Sequence, residues 1–359
     1  MKTKRTTIVF SGGGTGGSVA PLLAVIKDLK KKHPNWRIVF FGSFSGIERE
    51  MVKKEDIKYY PIFSGKLRRY FSLKNFLDIF NILAAFIQSF TYLLILRPKV
   101  VLSAGSFVSV PIAYSAYLLN IPALSHQQDI KVGLANRLMA TISKKVTVTF
   151  SKSLDDFKNK AVLTGNPIRE EFKGISASKE ELLKEYNLKP ELPVLLALGG
   201  GTGAKGINDL IFASYNNLKD KVQVIHILGN RKTNVIKHEN YHSYNFLEAK
   251  RIAEVLYLSD LVVSRCGLGL ITELSYFSKP AVFIPMPKSH QEDNADYIKA
   301  HEAGLVLGQS SLSAESFTTE LLGILEDEEI REKYKENLYN LVPKEASEKM
   351  INIIEDYVK

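Results

Sequence analysis

The sequence predicts an α/β chain built as two doubly wound parallel-sheet domains, and three observations support this. Its 359 residues exceed what one hydrophobic core usually organises. A glycine-rich loop twice joins an apolar strand to an amphipathic helix, once near the N-terminus and again past the middle. Hydrophobic residues make up 45% of the chain and charged residues 24%, which suffices for two cores and lacks the bias of a disordered chain.

Residues 7–10 are apolar and β-prone, 11–18 are glycine-rich, 22–32 carry helical periodicity and 37–41 read as a second buried strand. Together they form one βαβ unit of a parallel sheet. The stretch 76–96 is apolar over about the length that spans a bilayer, yet it contains Asp78, Asn81, Gln88 and Ser89. Placing Asp78 in hydrocarbon costs about 2.5–3.5 kcal/mol, and Arg97-Pro98 leads directly into another strand, so the pattern predicts an amphipathic or buried helix. Further buried strands are expected at 100–103, 123–125 and 145–148. Gly165-Asn166-Pro167 breaks the series and places the interdomain segment at 164–169. A second βαβ unit follows, with strand 193–198, loop 199–203, helix 207–215 and strand 223–228. Strands at 261–264 and 281–284 extend it. The expected division is 1–164 and 165–340, with 341–359 a C-terminal helix packing back on the first domain.

A single cysteine, Cys266, excludes an internal disulfide and fits a reducing compartment. The apolar run 8–10 is too short for a signal-peptide core, so no secretion signal is read. Charge is split unevenly. Residues 1–170 hold 26 Lys and Arg against 10 Asp and Glu, whereas the remainder holds 22 against 28. This asymmetry suggests that the first half faces a polyanion, either nucleic acid or an anionic leaflet, or else carries a lysine-rich solvated surface. Lys66, Arg68, Arg69, Tyr70 and Phe71 interleave basic and aromatic side chains, as a membrane-interface segment does; an ordinary exposed loop is the competing reading.

The loop Gly12-Gly13-Gly14-Thr15-Gly16-Gly17 fits G-x-G-x-x-G, and Gly199-Gly200-Gly201-Thr202-Gly203-Ala204 fits G-x-G-x-x-A. Without Cβ atoms the backbone can approach a phosphate closely, and the helix behind offers unpaired N–H groups and the positive end of its dipole. Either loop alone also suits a tight strand-to-helix turn. A nicotinamide or flavin dinucleotide would need an acid at the end of the second strand. Those strands end in Gly42-Ser43 and Gly229-Asn230, which removes that reading's main support. Glu273, beyond the turn Ser264-Arg265-Cys266-Gly267, is the alternative ribose ligand, or else a solvated glutamate.

Taken together, these residues resemble the MurG family of N-acetylglucosaminyltransferases, which convert lipid I to lipid II in peptidoglycan synthesis. The resemblance is carried by GGGTGGSVAPLLAV from Gly12, VLSAGSFVSVPIAYSAYLLNIPALSHQQD ending at Asp129, GLANR from Gly133 and TGNPIR ending at Arg169. GGGTGA from Gly199 and SDLVVSRCGLGLITELSYFSKPAVFIPMP from Ser259 continue it, followed by His290-Gln291 and Asn294-Ala295. It implies a GT-B architecture, two Rossmann-like domains facing across a cleft. It implies UDP-GlcNAc as donor, with Gly200, Gly201, Thr202, Gly203 and Ala204 at the diphosphate and Glu273 at the ribose. Phe246 and Leu247 then belong to the uracil-recognising turn, and Arg169 and Gln291 lie near phosphates and sugar. Gly13, Gly14, Thr15, Gly16 and Gly17 are implied to hold the pyrophosphate of a lipid-linked muramoyl-peptide acceptor. The implied location is peripheral, on the cytoplasmic face of the cell membrane, among other cell-wall synthesis proteins and without a nucleic-acid partner.

Two departures bear on chemistry. The family's first loop usually ends in His where this chain has Ser18, and its H-E-Q-N motif reads His126-Gln127-Gln128-Asp129. Inverting transfer needs a group to take the proton from the attacking hydroxyl. Asp129 is the first candidate and His126 the second, with Ser18, in the place of the family's loop histidine, counted in the same catalytic set. Asp129 as a plain turn residue is the alternative. No D-x-D triplet occurs, so helix dipoles, backbone amides and Arg169, with no metal or cofactor, are expected to stabilise the leaving diphosphate. Transfer to another lipid such as diacylglycerol, UDP-sugar epimerisation on a similar fold, and a binding protein without turnover remain open on the residues alone.

Overall fold

The computed structural model describes residues 5–14, 16–65, 73–200, 203–229 and 236–358. They divide into two units, Met1–Arg169 with Pro343–Lys359, and Glu170–Val342.

The first unit runs β1 (Thr7–Ser11), α1 (Gly16–Lys32), β2 (Arg37–Ser43), α2 (Glu48–Lys54), β3 (Lys58–Ile62), α3 (Leu73–Leu96) and β4 (Val100–Ser103). It continues through α4 (Ser109–Leu118), β5 (Ala123–Gln127), α5 (Leu134–Ile142), β6 (Lys145–Val148), α6 (Ser153–Phe157) and β7 (Ala161–Leu163). The second unit runs α7 (Lys179–Glu185), β8 (Val194–Leu198), α8 (Lys205–Leu218), β9 (Gln223–Ile227), β10 (Tyr241–Tyr244), α9 (Ala249–Leu258) and β11 (Leu261–Ser264). Then come α10 (Leu268–Phe277), β12 (Ala281–Phe283), α11 (Gln291–Ala300), β13 (Leu305–Val306), α12 (Ala314–Glu326) and α13 (Glu328–Leu341). The last helix, α14 (Ala346–Asp356), belongs to the first unit.

Both sheets are parallel and share one winding. The first is ordered β3-β2-β1-β4-β5-β6-β7 and the second β10-β9-β8-β11-β12-β13. In each, the chain reverses direction across the sheet beside its first strand, between β1 and β4 and between β8 and β11. Loops leaving the carboxyl ends of those strands diverge there and open a crevice for ligands. Both glycine-rich loops lie at these points.

Alternation along β1 sends side chains to opposite faces. Ile8 and Phe10 join Leu22, Ile26, Leu29 and Phe40 on one side, with Met350, Ile351 and Ile354 of α14 closing that layer. Val9 joins Val39, Phe41, Leu93 and Ile112 on the other. In the second unit Leu195, Ile207, Ile211, Val263, Phe317 and Leu321 form the corresponding layer.

The structure differs from the sequence expectation at the edges and at one functional boundary. Strands β3, β7, β10 and β13 escape pattern reading because edge strands are short or polar: β3 holds Pro61, and β10 reads YHSY. Helix α1 opens at Gly16, not at 22, so Pro21 lies inside it. The amides of Gly16 and Gly17 thereby fall in its first turn, where N–H groups have no acceptor within the helix.

Candidate active site

In the second unit the residues expected at the donor converge on one sheet edge. Strand β8 ends at Leu198 and the loop turns at once: Gly200 and Gly203 take φ of 85° and 75°, and the Gly203 amide donates to the Gly200 carbonyl at 2.9 Å. A Cβ on Gly203 would stand 2.3 Å from the Leu228 carbonyl oxygen, and one on Gly199 2.2 Å from the Ala204 nitrogen. Helix α8 follows with no acidic residue in its first turn, leaving its amides and dipole unopposed toward an anion. Gly201 and Thr202 lie outside the described residues, as does Asn230.

Beneath this loop sits His226, wholly buried on β9. Its Nδ1 meets the Tyr241 hydroxyl at 2.7 Å, and its Nε2 meets Asn208 Oδ1 at 3.1 Å; Asn208 Nδ2 in turn donates to the Leu228 carbonyl at 2.9 Å. Burial pushes the imidazole down to about 4, so the ring is neutral and ties α8 to the segment that crowds Gly203.

The turn after β11 is fixed from two sides. Arg265 donates to the carbonyls of Ile284 and Pro285 at 3.0 and 3.1 Å, and Asn294 Nδ2 donates to the Cys266 carbonyl at 2.9 Å. Burial lifts the Cys266 thiol to about 12, which leaves it an inert packing group. Glu273 projects half-buried from α10 in the helix that follows. Gln291 opens α11, its Oε1 accepting the Met286 amide at 2.9 Å. Phe246 is 63% exposed after β10, next to buried Leu247. Residues after β8, β10, β11 and β12 therefore share the carboxyl edge. Arg169 closes the first unit, just before a 3₁₀ turn at Glu170–Phe172.

In the first unit Gly14 takes φ of 83° and the Ser18 hydroxyl donates to the Gly13 carbonyl at 3.2 Å. Thr15 lies outside the described residues. Helix α1, like α8, has no acidic residue in its first turn. The loop after β4 comes alongside. Gly105 and Ser106 both adopt positive φ, 80° and 76°, and a Cβ on Gly14 would lie 3.8 Å from Ser106 Oγ. Sequence reasoning gave Ser106 no role. Its signal is the left-handed backbone, which serine rarely adopts and which no residue pattern announces.

Strand β5 runs on to Gln127, two residues past the expected end, and this separates the two acid/base candidates. His126 is wholly buried, with Nδ1 2.9 Å from Thr147 Oγ1 and Nε2 3.1 Å from Asn166 Oδ1. Burial drops it to about 4. Gln127 is buried too, donating to the carbonyls of Asp129 and Lys131 and accepting from Asn136 at 2.6 Å. Asp129 is exposed at the end of this braced loop. Two buried polar atoms nearby in the fold have no partner, Gln128 Nε2 and Asn136 Oδ1, the latter facing Gly105.

Lys66, Arg68, Arg69, Tyr70 and Phe71 lie outside the described residues. Helix α3, next in the chain, exposes Ile79, Phe80, Leu83, Ile87, Leu94 and Ile95 along one stripe. It is fastened to the domain on its other side: Gln88 bridges Pro61 and Phe63, and the Ser115 hydroxyl donates to the Phe86 carbonyl.

Models of two domains match the chain, the glycosyltransferase family 28 N-terminal domain over residues 8–148 and the family 28 C-terminal domain over 194–352. A Clostridium botulinum protein named UDP-N-acetylglucosamine--N-acetylmuramyl-(pentapeptide) pyrophosphoryl-undecaprenol N-acetylglucosamine transferase is 36% identical, with 98% of this chain and 99% of that protein covered. A Clostridium tetani protein of the same name is also 36% identical, with 99% of each chain covered. The crystal structure of Acinetobacter baumannii MurG superposes with a TM-score of 0.76 at 22% identity, covering 98% of this chain and 99% of that one, which is a likeness of fold.

Proposed function

This chain belongs to the MurG family within glycosyltransferase family 28, and from that premise we infer that it transfers N-acetylglucosamine from UDP-GlcNAc to the C4 hydroxyl of lipid I, producing lipid II and UDP. The observation that carries this conclusion is the end-to-end match, 36% identity over 98% of the chain, to enzymes that bear the name of that reaction. Purified protein incubated with synthetic lipid I and labelled UDP-GlcNAc should yield labelled lipid II. Transfer only to diacylglycerol, or conversion of free UDP-GlcNAc without acceptor, would overturn the assignment.

We propose roles for individual residues from the family resemblance, and the geometry of the two loops supports them. The donor diphosphate is assigned to the loop Gly200, Gly201, Thr202, Gly203 and Ala204 at the head of α8, with Arg169 as its cation. Glu273 takes the ribose hydroxyls, the backbone at Phe246 and Leu247 the uracil, and Gln291 the sugar. The acceptor pyrophosphate is assigned to Gly13, Gly14, Thr15, Gly16 and Gly17, with Ser18 shaping the loop through Gly13. In the displacement the C4 oxygen forms its bond to the anomeric carbon as the bond to the UDP oxygen breaks. The hydroxyl proton passes to the base. Asp129 is the better candidate because it is exposed and held by Gln127, whereas His126 has no exposed nitrogen and both are engaged.

Amide donors and the α8 dipole stabilise the leaving diphosphate in this reading. Turnover is expected to survive EDTA, and a strict need for added divalent metal would remove this part of the proposal. The apolar stripe of α3 supports peripheral docking on the cytoplasmic leaflet, with the basic first half of the chain attracted to anionic headgroups. Other cell-wall synthesis proteins are the expected neighbours there.

A further inference from the structure

The first residue of α2 sets a carboxylate under the first glycine loop, where an anion-binding loop has no electrostatic use for one. The Glu48 side chain is wholly buried. Its Oε1 accepts the Ser43 amide at 2.9 Å and also the Ser43 hydroxyl, and its Oε2 accepts the Gly14 amide at 3.2 Å. A Cβ on Gly13 would stand 2.5 Å from Oε1, and one on Gly46 1.9 Å from Oε2. A side chain at either position would collide with this carboxylate as it is held, whatever ligand the loop takes. Tyr59 closes the chamber, its hydroxyl donating to the Ser43 carbonyl at 2.5 Å. Burial, reinforced by the Glu48 charge, raises the phenol above its ordinary value and keeps it a donor.

Nests that grip phosphate do so with converging free amides. Here one of them, the Gly14 N–H, is already committed to the protein. The head of α1, beginning with Gly16 and Gly17, offers further donors to a diphosphate, and Glu48 repels an anion approaching from the β2 side. We propose that Glu48 is a positioning residue for the acceptor: it clamps Gly13 and Gly14 from below and confines the acceptor's diphosphate to the head of α1. This deepens the assignment of the first loop to the acceptor and rests on it.

The test uses the full chain as wild type, E48A, E48Q and S43A, with two readouts. Hydrogen exchange of a peptide covering residues 11–18, without substrate, reads the clamp independently of activity. Steady-state kinetics with lipid I and UDP-GlcNAc read its consequence. E48A is expected to speed loop exchange and raise the lipid I KM by about tenfold or more, leaving the UDP-GlcNAc KM within about twofold. E48Q has one acceptor oxygen for two donor groups, Ser43 and the Gly14 amide, and carries no charge, so its lipid I KM should fall between those of wild type and E48A. If E48A does not fold, S43A, which removes one bond to Oε1, should raise only the lipid I KM, by about threefold. An unchanged lipid I KM, or equal rises in both KM values, would overturn the proposal. A wild-type protein that transfers nothing to lipid I would instead defeat the transferase reading, while the exchange rates would still decide whether Glu48 clamps the loop.

Discussion

Asp129 owes its place to buried neighbours. Gln127 holds the carbonyls of Asp129 and Lys131, and a glutamate in its position would set carboxylate oxygens against those carbonyls. The chain's departure from H-E-Q-N thus exchanges a carboxylate at 127 for an amide that shapes the loop, and presents a carboxylate at 129. Asp129→Asn should lower kcat by about 10²–10⁴ with the UDP-GlcNAc dissociation constant unchanged by calorimetry. Turnover near wild type would move the proton to another group. His126 stood as the second candidate in the sequence because the apolar pattern ends at 125. Two more residues of strand turned His126 inward, and strand length set by pairing to β6 is invisible to local periodicity.

At the scale of elements, both glycine loops were legible because strand, glycines and helix follow one another within a dozen residues. What each glycine does was not. Gly200 and Gly203 share positive φ, but no atom lies within 4 Å of a Cβ built on Gly200, whereas Gly203 meets the Leu228 carbonyl at 2.3 Å. Gly200→Ala should therefore cost only the backbone strain of about 1–2 kcal/mol. Gly203→Ala must also displace the β9 end, and it should raise the UDP-GlcNAc KM more than Gly200→Ala does; the reverse order in paired kinetics would contradict the loop geometry. The helix at 76–96 was legible as an element but its orientation was not, since polar Gln88 and Ser89 argue only against spanning. Packing turns Gln88 toward β3 and leaves the stripe Ile79, Leu83, Ile87 and Ile95 outward. Replacing Leu83 and Ile87 together by Glu should reduce cosedimentation with anionic vesicles, while turnover on a water-soluble acceptor stays within about twofold. Undiminished sedimentation would place the membrane contact elsewhere.

Across the whole molecule, each unit buries a neutral histidine under its sheet edge, His126 on β5 and His226 on β9, both held near 4 by burial. Their unfolded value is about 6.5, so between roughly pH 6.5 and 4 the unfolded chain binds more protons than the folded one. Unfolding free energy therefore falls as the pH drops through that window, by on the order of 3 kcal/mol for each histidine at full extent. A second group titrates lower. Glu355 on α14 accepts from Lys32 at the end of α1 and His33 just beyond it, at 2.8 and 2.6 Å, and these partners hold its carboxyl below the usual value. The contribution of that latch survives until the pH falls through the lowered carboxyl value, beneath most of the histidine window. Urea unfolding at about pH 7, 6 and 5 should show midpoints moving steadily down. His226→Gln should flatten the shift for the second unit and leave that of the first intact, since the two histidines sit in separate cores. Midpoints independent of pH across this range would mean that these rings are not buried neutral. Separate transitions for the two units would let each slope be assigned to its own histidine.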